Sequence, residues 1–448
     1  MSKLVVTPTS GVIIGEITVP ISKYHLHRAL IFGSLAHGET IIHGVSGAGH
    51  IQDTLNALED LGIQVEHSAT GYRVHGGAYK PVNGMVRLGS SGSTTQFMLG
   101  LGCLSTSGPV TFDGVEALRA RPIGPLLQAL EHIGIRSEST ASKLPVKIFP
   151  GRPTGGSVKV QGTLSQWISG LLMVSPFAPA DTVIDIQEPF NERTYVHLTK
   201  SMLQEFGIQV QHDETERQWV IPANQTYQPA EITVEPDLSS AAFPLVYAAM
   251  HPGKVILNGL TGPGSHPEGH VLEVLQAMGL EITYHDQLKA CVIYNKGTRL
   301  NGIEIDMKDI PDLIPILSVC ASTARGRTIL RNVETGRMKE SDRVAAMLQL
   351  RKMGACIEES DDCLIIDGVE QLYGAEINTF DDHRVLMAFA VAGSVAAGRT
   401  TLNYPNAYEI SYPEFMDHMR ILGMNIRLES EDHHGGALVD EESLVVHG

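Results

Sequence analysis

The chain has 448 residues, of which 43% are hydrophobic and 19% are charged, so it can bury the cores of two or three domains. Its formal net charge of −17 argues against nucleic acid or an anionic membrane as a partner, because such partners select basic surfaces. The sequence has no apolar run of roughly 18 residues and no basic N-terminal region followed by one, which predicts a soluble, cytoplasmic protein. The five cysteines form no C-x-x-C pair, so we expect neither a disulfide framework nor a cysteine metal site.

A glycine between two hydrophobic residues recurs along the chain at intervals of 72, 73, 72, 75 and 69 residues. The six positions are Gly62, Gly134, Gly207, Gly279, Gly354 and Gly423. Each closes a stretch of helical periodicity and precedes an alternating stretch, which predicts a helix, a glycine C-cap and a strand. A second series of turn residues opens a strand in the same rhythm, at Gly38, Gly108, Asp181, Gly253, Gly326 and Gly398. These units exceed the roughly 20–50 residues of solenoid repeats, which favours six small α/β modules in two domains of three.

The first cluster of basic residues follows a predicted strand over 15–19 and leads into a predicted helix over 29–35. It contains Lys23 and Arg28, which would lie near the positive end of the helix dipole and could bind an anion. A solvated basic start of a helix explains this cluster equally well.

Further helix entrances carry small, hydroxyl or cationic residues. The turn over 88–95 is rich in glycine and serine and suits a carboxylate or phosphate, although a plain N-cap also explains it. Arg121 precedes Pro122, which is predicted at the first position of a helix. The segment 163–167 again opens a helix with hydroxyl and amide groups, and Tyr195 begins another. At 237–240 nothing cationic appears, and capping is the better interpretation.

The C-terminal half has the densest ionisable clusters. Asp312 lies at the start of a predicted apolar helix over 313–324, the run 337–343 is almost wholly polar, and 381–384 opens a helix over 385–393. One such run is typical of a surface salt-bridge network. Three of them together, each at a repeat's helix entrance, weaken that interpretation.

Three motifs carry a resemblance to a known family. They are Arg121-Pro122-Ile123, the run from Lys339 to Arg343, and Asp382-His383-Arg384. With these motifs the chain resembles the enolpyruvyl transferases, and within them the EPSP synthase family, over nearly its whole length. The resemblance implies a two-domain α/β fold, an inside-out α/β barrel with six βαβαββ units, three in each domain. One domain would comprise residues 20–235 and the other residues 1–19 and 236–448, with the active site in the cleft between them.

By the same resemblance, the protein would transfer the enolpyruvyl group of phosphoenolpyruvate to a hydroxyl of shikimate 3-phosphate or a related cyclic alcohol. The catalytic residues would be Asp312, Lys339 and Glu340. Phosphoenolpyruvate would be bound by Lys23, Gly92, Arg121, Gln166, Arg343 and Arg384. The acceptor would be bound by Arg28, Ser165, Gln166, Tyr195, Asp312 and Lys339. The resemblance implies no metal, no organic cofactor and a monomer whose partners are small anionic substrates.

The chain departs from the family pattern at Tyr24, Gln96, Leu164, Glu192 and Ile410. Most of these departures fall on the acceptor side, where leucine donates no hydrogen bond and a carboxylate repels phosphate. Two alternatives therefore stay open: a different acceptor, and a non-catalytic protein that binds an anion. A UDP-N-acetylglucosamine enolpyruvyl transferase is a third, disfavoured because the loop 115–120 has no cysteine. The acidic tail with His433 and His434 is interpreted as frayed or strand-adding, since no metal-ligand spacing surrounds the pair.

Overall fold

The computed structural model describes residues 2–430, so that His433 and His434, with the rest of the tail beyond Ser430, lie outside the described residues. The α-helices of this range are α1 (Lys23–Leu35), α2 (Gly49–Asp60), α3 (Gly92–Leu101), α4 (Glu116–Arg119), α5 (Gly124–His132), α6 (Ser165–Val174), α7 (Arg193–Glu205), α8 (Leu238–Met250), α9 (Val271–Ala277), α10 (Ile314–Ser322), α11 (Arg343–Met347), α12 (His383–Val395) and α13 (Phe415–Ile421).

Strands lie between these helices in a regular rhythm. In the first half they are β1 (Ser2–Thr7), β2 (Ile13–Thr18), β3 (Gly38–His43), β4 (Gln64–Ser68), β5 (Gly71–Gly76), β6 (Met85–Arg87), β7 (Val110–Asp113), β8 (Ser137–Thr140), β9 (Lys143–Ile148), β10 (Gly156–Gln161), β11 (Thr182–Gln187), β12 (Gln211–His212), β13 (Gln218–Ile221) and β14 (Glu231–Thr233). In the second half they are β15 (Gly253–Asn258), β16 (Glu281–His285), β17 (Ala290–Asn295), β18 (Glu304–Asp306), β19 (Arg327–Arg331), β20 (Cys356–Ser360), β21 (Cys363–Asp367), β22 (Leu372–Tyr373), β23 (Glu376–Ile377), β24 (Ala396–Ala397), β25 (Thr400–Leu402) and β26 (Asn425–Ser430).

Six four-stranded sheets repeat one pattern, a parallel edge pair followed by two antiparallel strands, among the residues that the structure describes. Their strand orders are β14-β3-β5-β4, β6-β7-β9-β8, β10-β11-β13-β12, β2-β15-β17-β16, β18-β19-β21-β20 and β23-β25-β1-β26. The sixfold repeat predicted from the glycine spacing is therefore present in the sheets. A separate short pair joins β22 and β24.

The six repeat glycines all have a positive φ, between 79° and 104°. Each lies between a helical turn and a strand, for example Gly62 between α2 and β4. An L side chain is disfavoured in this left-handed conformation, which is why glycine recurs there. The predicted helix, glycine and strand succession is confirmed.

Two hydrophobic cores are separate in space. One is built from buried residues between positions 24 and 234, and the other combines positions 4–19 with positions 238–426. The chain passes between them twice, and the two crossings lie side by side, because Ser22 N–H donates to the Glu235 carbonyl and Asp237 N–H to the Pro20 carbonyl. This arrangement supports the predicted domain boundaries and the hinge between them, which we retain as a proposal.

Six helices are almost wholly buried, and the sheets surround them. They are α1, α3, α6, α8, α10 and α12. All 13 residues of α1 are buried, so this helix has no polar face toward solvent. Burial of whole helices explains why their sequences lack an amphipathic pattern.

Two of the predicted helix entrances need correction. The first buried helix begins at Lys23 and not at Ala29, because Ser22 caps it by accepting a hydrogen bond from the His25 N–H. The helix predicted to begin at Pro122 is wrong in its start, since α5 begins at Gly124. The interpretation of 237–240 as a cap is confirmed, because the Asp237 side chain accepts a hydrogen bond from the Ser240 N–H. In the turn over 88–95, Ser91 caps α3 by accepting from the Thr94 N–H.

Candidate active site

A cavity lies between the two cores, and residues from both line it. Nine of the predicted site residues are among these lining residues: Lys23, Gly92, Arg121, Gln166, Asp312, Lys339, Glu340, Arg343 and Arg384. They include every residue predicted for catalysis and every residue predicted for phosphoenolpyruvate. The structure therefore brings together positions that are more than 300 residues apart in the chain.

The cavity is electropositive because helix N-termini meet there. Lys23 begins α1, Gly92 begins α3, and Arg384 lies in the first turn of α12. Helix N-termini present free N–H groups and the positive end of the dipole, so they favour bound anions. This explains how an acidic protein can hold a local site for negative charge.

Arg343 organises the carboxylates of the site. Its side chain is fully buried and donates to Asp312 (Nη1 to Oδ1, 2.8 Å), Glu340 (Nη2 to Oε2, 2.6 Å) and Asp382 (Nε to Oδ2, 2.8 Å). Asp382 in turn caps α12 by accepting from the Arg384 N–H. Three carboxylates raise the pKa of Arg343 despite its burial, so this cation is permanent.

Arg121 reaches across the cleft to the other half of the molecule. Its Nη2 lies 2.9 Å from Oε1 of Glu340. A Cβ atom built on Gly92 would lie 2.3 Å from Nη1 of Arg121, so a side chain at that position would displace the guanidinium. The absence of a side chain at Gly92 therefore lets the Arg121 guanidinium approach the serine-rich turn closely.

Tyr24 occupies the middle of the site. Its hydroxyl donates to Oδ2 of Asp312 at 2.5 Å and accepts from Nη2 of Arg384 at 2.7 Å. Its ring packs edge-on against Tyr195 and against His266, with centroid distances of 5.1 and 5.5 Å. The sequence marks Tyr24 as a departure from the family pattern, but it does not show that the phenol contacts the candidate base.

The ionisation states follow from burial and neighbouring charges. Burial and the nearby Arg384 lower the pKa of Lys23 to about 8. Burial raises the pKa of Asp312, but Arg384 and Lys339 outweigh it and hold that pKa well below its usual range. Burial lowers the pKa of Lys339, yet Glu192 and Asp312 raise it further than burial lowers it. Asp312 is therefore an anion and Lys339 a cation in this arrangement.

The ionisation state of Glu340 is also set by burial and by neighbouring charges. Burial raises the pKa of its carboxyl, and Arg121 and Arg343 together hold it well below the usual range.

Glu340 and Asp382, with His383, also place one potential ligand atom each within 4.8 Å of one another. Both carboxylates already accept hydrogen bonds from the Arg343 guanidinium, which supplies them with a positive partner from the protein.

Three residues predicted for the acceptor are not among the residues that line the cavity: Arg28, Ser165 and Tyr195. Arg28 donates to the carbonyls of Tyr24 and Tyr195 and to the Thr199 hydroxyl, and it lies over the Phe97 ring at 4.8 Å. Its donors are thus engaged by atoms of the protein.

The structure also shows where the residues that depart from the family pattern lie. Tyr24, Gln96 and Leu164 line the cavity, and Glu192 contacts the cavity residue Lys339. Ile410 packs against the start of α2, where a Cβ on Gly49 would lie 3.3 Å from its Cα. Four of the five departures therefore lie in or directly beside the site.

Two buried residues of the loop between β15 and α9 were not predicted from the sequence as site residues. His266 and Glu268 are at most 5% exposed, and burial, followed by the charge of Asp312, raises the pKa of Glu268 to about 8. Burial lowers the pKa of His266 to about 4. Both stand in the short ionisable stretch His266-Pro267-Glu268-Gly269-His270, a signal that could have drawn attention to this loop.

Within residues 2–430, no helix is long and apolar enough to cross a membrane. This agrees with the absence of a long apolar run in the sequence.

The chain matches the EPSP synthase (3-phosphoshikimate 1-carboxyvinyltransferase) family over residues 8–419. A 3-phosphoshikimate 1-carboxyvinyltransferase of Methanococcus maripaludis is 34% identical over 421 residues, which cover 92% of this chain and 97% of that protein. The relative of the same name from Methanocaldococcus jannaschii is 35% identical over 424 residues, or 93% of this chain and 97% of that protein. The structure of EPSP synthase from Acinetobacter baumannii superposes with a TM-score of 0.81 at 26% identity, covering 96% of this chain and 100% of that one. The predicted fold class is confirmed by this likeness.

Proposed function

Because the chain belongs to the EPSP synthase family of enolpyruvyl transferases, we propose that it transfers the enolpyruvyl group of phosphoenolpyruvate to a hydroxyl of shikimate 3-phosphate or a related cyclic alcohol. The observation that carries this proposal is one cavity lined by five cations and two carboxylates. The cations are Lys23, Arg121, Lys339, Arg343 and Arg384, and the carboxylates are Asp312 and Glu340.

Phosphoenolpyruvate has a phosphate and a carboxylate, and the cations of the cavity suit both. Arg121 and Arg384 can each present a planar fork to such groups, and Lys23 supplies a charge at the N-terminus of α1. Gly92 leaves room beside Arg121, and Gln166 offers an amide on the same side. Substrate anions would replace Glu340 and Asp312 as the partners of these cations.

The reaction conserves atoms and electron pairs within these two substrates. The acceptor hydroxyl gives its proton to a base, and its oxygen bonds to C2 of phosphoenolpyruvate while C3 gains a proton. Expulsion of phosphate breaks the C2–O bond, and loss of a proton from C3 restores the double bond. We assign Asp312 as the base at the hydroxyl, and Lys339 and Glu340 as the groups that exchange protons with C3 and the leaving phosphate.

The low pKa of Asp312 has a consequence for this assignment. Arg384, the cation that lowers it most, is also one of the groups assigned to phosphoenolpyruvate. When an anionic group of phosphoenolpyruvate pairs with Arg384, the net positive field on Asp312 falls and its basicity rises. Binding of the first substrate would thus prepare the base for the second.

The test is release of inorganic phosphate from phosphoenolpyruvate by the full chain, with shikimate 3-phosphate, shikimate or UDP-N-acetylglucosamine as the added alcohol. We expect phosphate release that depends on one of the two shikimate compounds. Calorimetric binding of phosphoenolpyruvate without release in any mixture would favour the non-catalytic alternative. Release only with UDP-N-acetylglucosamine would favour the third alternative. The monomeric state and the cytoplasmic location stay predictions.

A further inference from the structure

Glu192 is held in an unusual position beside the active site. Its backbone lies in the left-handed region, with a φ of 54°, and its N–H donates to the Lys308 carbonyl of the opposite half. A non-glycine residue adopts this conformation only at an energetic cost. Its side chain is 3% exposed and points away from solvent. The fold therefore fixes the direction of this carboxylate.

The Glu192 carboxylate accepts three charge-assisted hydrogen bonds. Ser165 donates to Oε2 from its backbone N–H at 3.0 Å and from its hydroxyl at 2.8 Å, and Lys339 donates to Oε1. Ser165 is the first residue of the ten-residue helix α6, so the carboxylate lies at the positive end of a buried helix dipole. A helix N-terminus, a hydroxyl and an ammonium are the donors that would bind a phosphate. Here they bind an anion that belongs to the protein.

A second buried acid, Glu268, lies in the loop between β15 and α9 of the opposite half. Its carboxyl group faces the Tyr195 hydroxyl, and within residues 2–430 no hydrogen bond of ordinary geometry satisfies either group. Asp312 is close enough to raise the pKa of Glu268, and the edge of Tyr24 packs on Tyr195. Buried polar groups without partners can be satisfied by the hydroxyl groups of a ligand.

This inference rests on the proposed function. We propose that the acceptor is a cyclic alcohol without a phosphate group, and that Glu192 is the specificity-determining residue, because its carboxylate fills the anion position at the N-terminus of α6. A phosphate brought to these donors would have to displace Glu192 from three hydrogen bonds or lie beside its charge. Both are unfavourable, so the acceptor is selected against phosphate by repulsion as well as by occupancy.

Calorimetry on the full chain with two probes, shikimate 3-phosphate and shikimate, tests the proposal. Each probe is titrated with and without phosphoenolpyruvate into the wild type and into Glu192→Ser, Glu192→Gln and Glu188→Gln. Glu188→Gln is the control, since it removes one charge from the same segment at an exposed side chain. We expect Glu192→Ser to bind shikimate 3-phosphate about 100-fold more tightly than the wild type does. The affinity for shikimate should change by less than about threefold, and Glu188→Gln should behave like the wild type.

Glu192→Gln keeps the shape of the side chain and removes its charge, so it should change the affinity in the same direction with a smaller gain. It decides the question if Glu192→Ser does not fold. The proposal is overturned if the wild type binds shikimate 3-phosphate as tightly as the charge-free variants do, or prefers it to shikimate. Failure of the wild type to bind phosphoenolpyruvate would contradict the proposed function instead. The titrations without phosphoenolpyruvate still report the phosphate selectivity in that case.

Discussion

Two arginines of the same half of the molecule, Arg121 and Arg28, differ in what their guanidinium groups contact. Arg121 lines the cavity, and its partner Glu340 lines it too, so a substrate anion can take the place of that partner. Arg28 instead donates to two backbone carbonyls and to Thr199, which belong to packed helices. A cation at a motif position binds a ligand only where its own partners can be exchanged. Of these two predicted ligands, Arg121 has an exchangeable partner and Arg28 does not.

The largest effect is expected from Asp312→Asn, which removes the proposed base but keeps the shape of the side chain. The rate of phosphate release should fall by about 10²–10⁴-fold, the usual contribution of a general base. Binding of phosphoenolpyruvate, followed by calorimetry, should persist because the surrounding cations remain. The exposed Asp306, changed to Asn, is a control in the segment that precedes it. An activity within threefold of the wild type would show that Asp312 is not the base.

Arg121→Gln tests the arginine whose partner, Glu340, can be exchanged for a substrate anion. We expect kcat/KM for phosphoenolpyruvate to fall about 100-fold, since a charge-assisted contact to the substrate contributes about 1.5–3 kcal/mol. Arg119→Gln is a matched control, because Arg119 lies two residues away and binds only Asp113 at the surface in the described part of the chain. Equal losses in the two variants would contradict a direct role for Arg121.

Arg28→Lys tests the arginine whose partners belong to packed helices. Lysine cannot reach the Thr199 hydroxyl and two carbonyls at once, so unfolding by denaturant should require about 1–3 kcal/mol less free energy. Arg73→Lys, at an exposed ion pair, should change stability by less than about 0.5 kcal/mol. If the KM for the acceptor rose strongly while stability stayed unchanged, Arg28 would be a ligand of the acceptor and the contrast drawn above would fail.

The smallest effect is a pH dependence. The pKa of Lys23 is lowered to about 8 by burial and by Arg384, so Lys23 loses its positive charge as the pH rises through 8. The affinity for phosphoenolpyruvate should therefore fall several-fold between pH 7 and pH 9, measured by calorimetry. In Lys23→Arg the charge persists and the decline should move to higher pH. A flat profile in the wild type would mean that Lys23 does not face the substrate.

Local patterns in the sequence were enough to predict the repeated module. The spacing of Gly62 and its five counterparts indicates a left-handed cap between helix and strand, and that requirement depends on one residue's backbone. The capping residues Ser91 and Asp237 were predictable for the same reason, since a cap forms within four residues. The start of α5 was misplaced because a proline fits both the first turn of a helix and the loop before it.

The candidate site was predicted through motifs whose residues match those of the family, such as Arg121 and the run from Lys339 to Arg343. The contacts of Glu192, Tyr24 and Glu268 could not be predicted in this way. Each depends on a partner more than 20 residues away, for example Glu192 with Lys339 and Tyr24 with Asp312. No local pattern encodes such a pairing.

The sequence by itself determined the six modules, the helix entrances rich in cations and hydroxyls, and the family, because these depend on short-range periodicity and residue type. Only the tertiary structure decided which charges face one another across the cleft. The helix N-termini converge there, so Arg121 meets an exchangeable carboxylate and Ser165 meets the carboxylate of Glu192. Electrostatic energy depends on distance in space, and positions far apart in the chain reach contact only through the packing of the two cores.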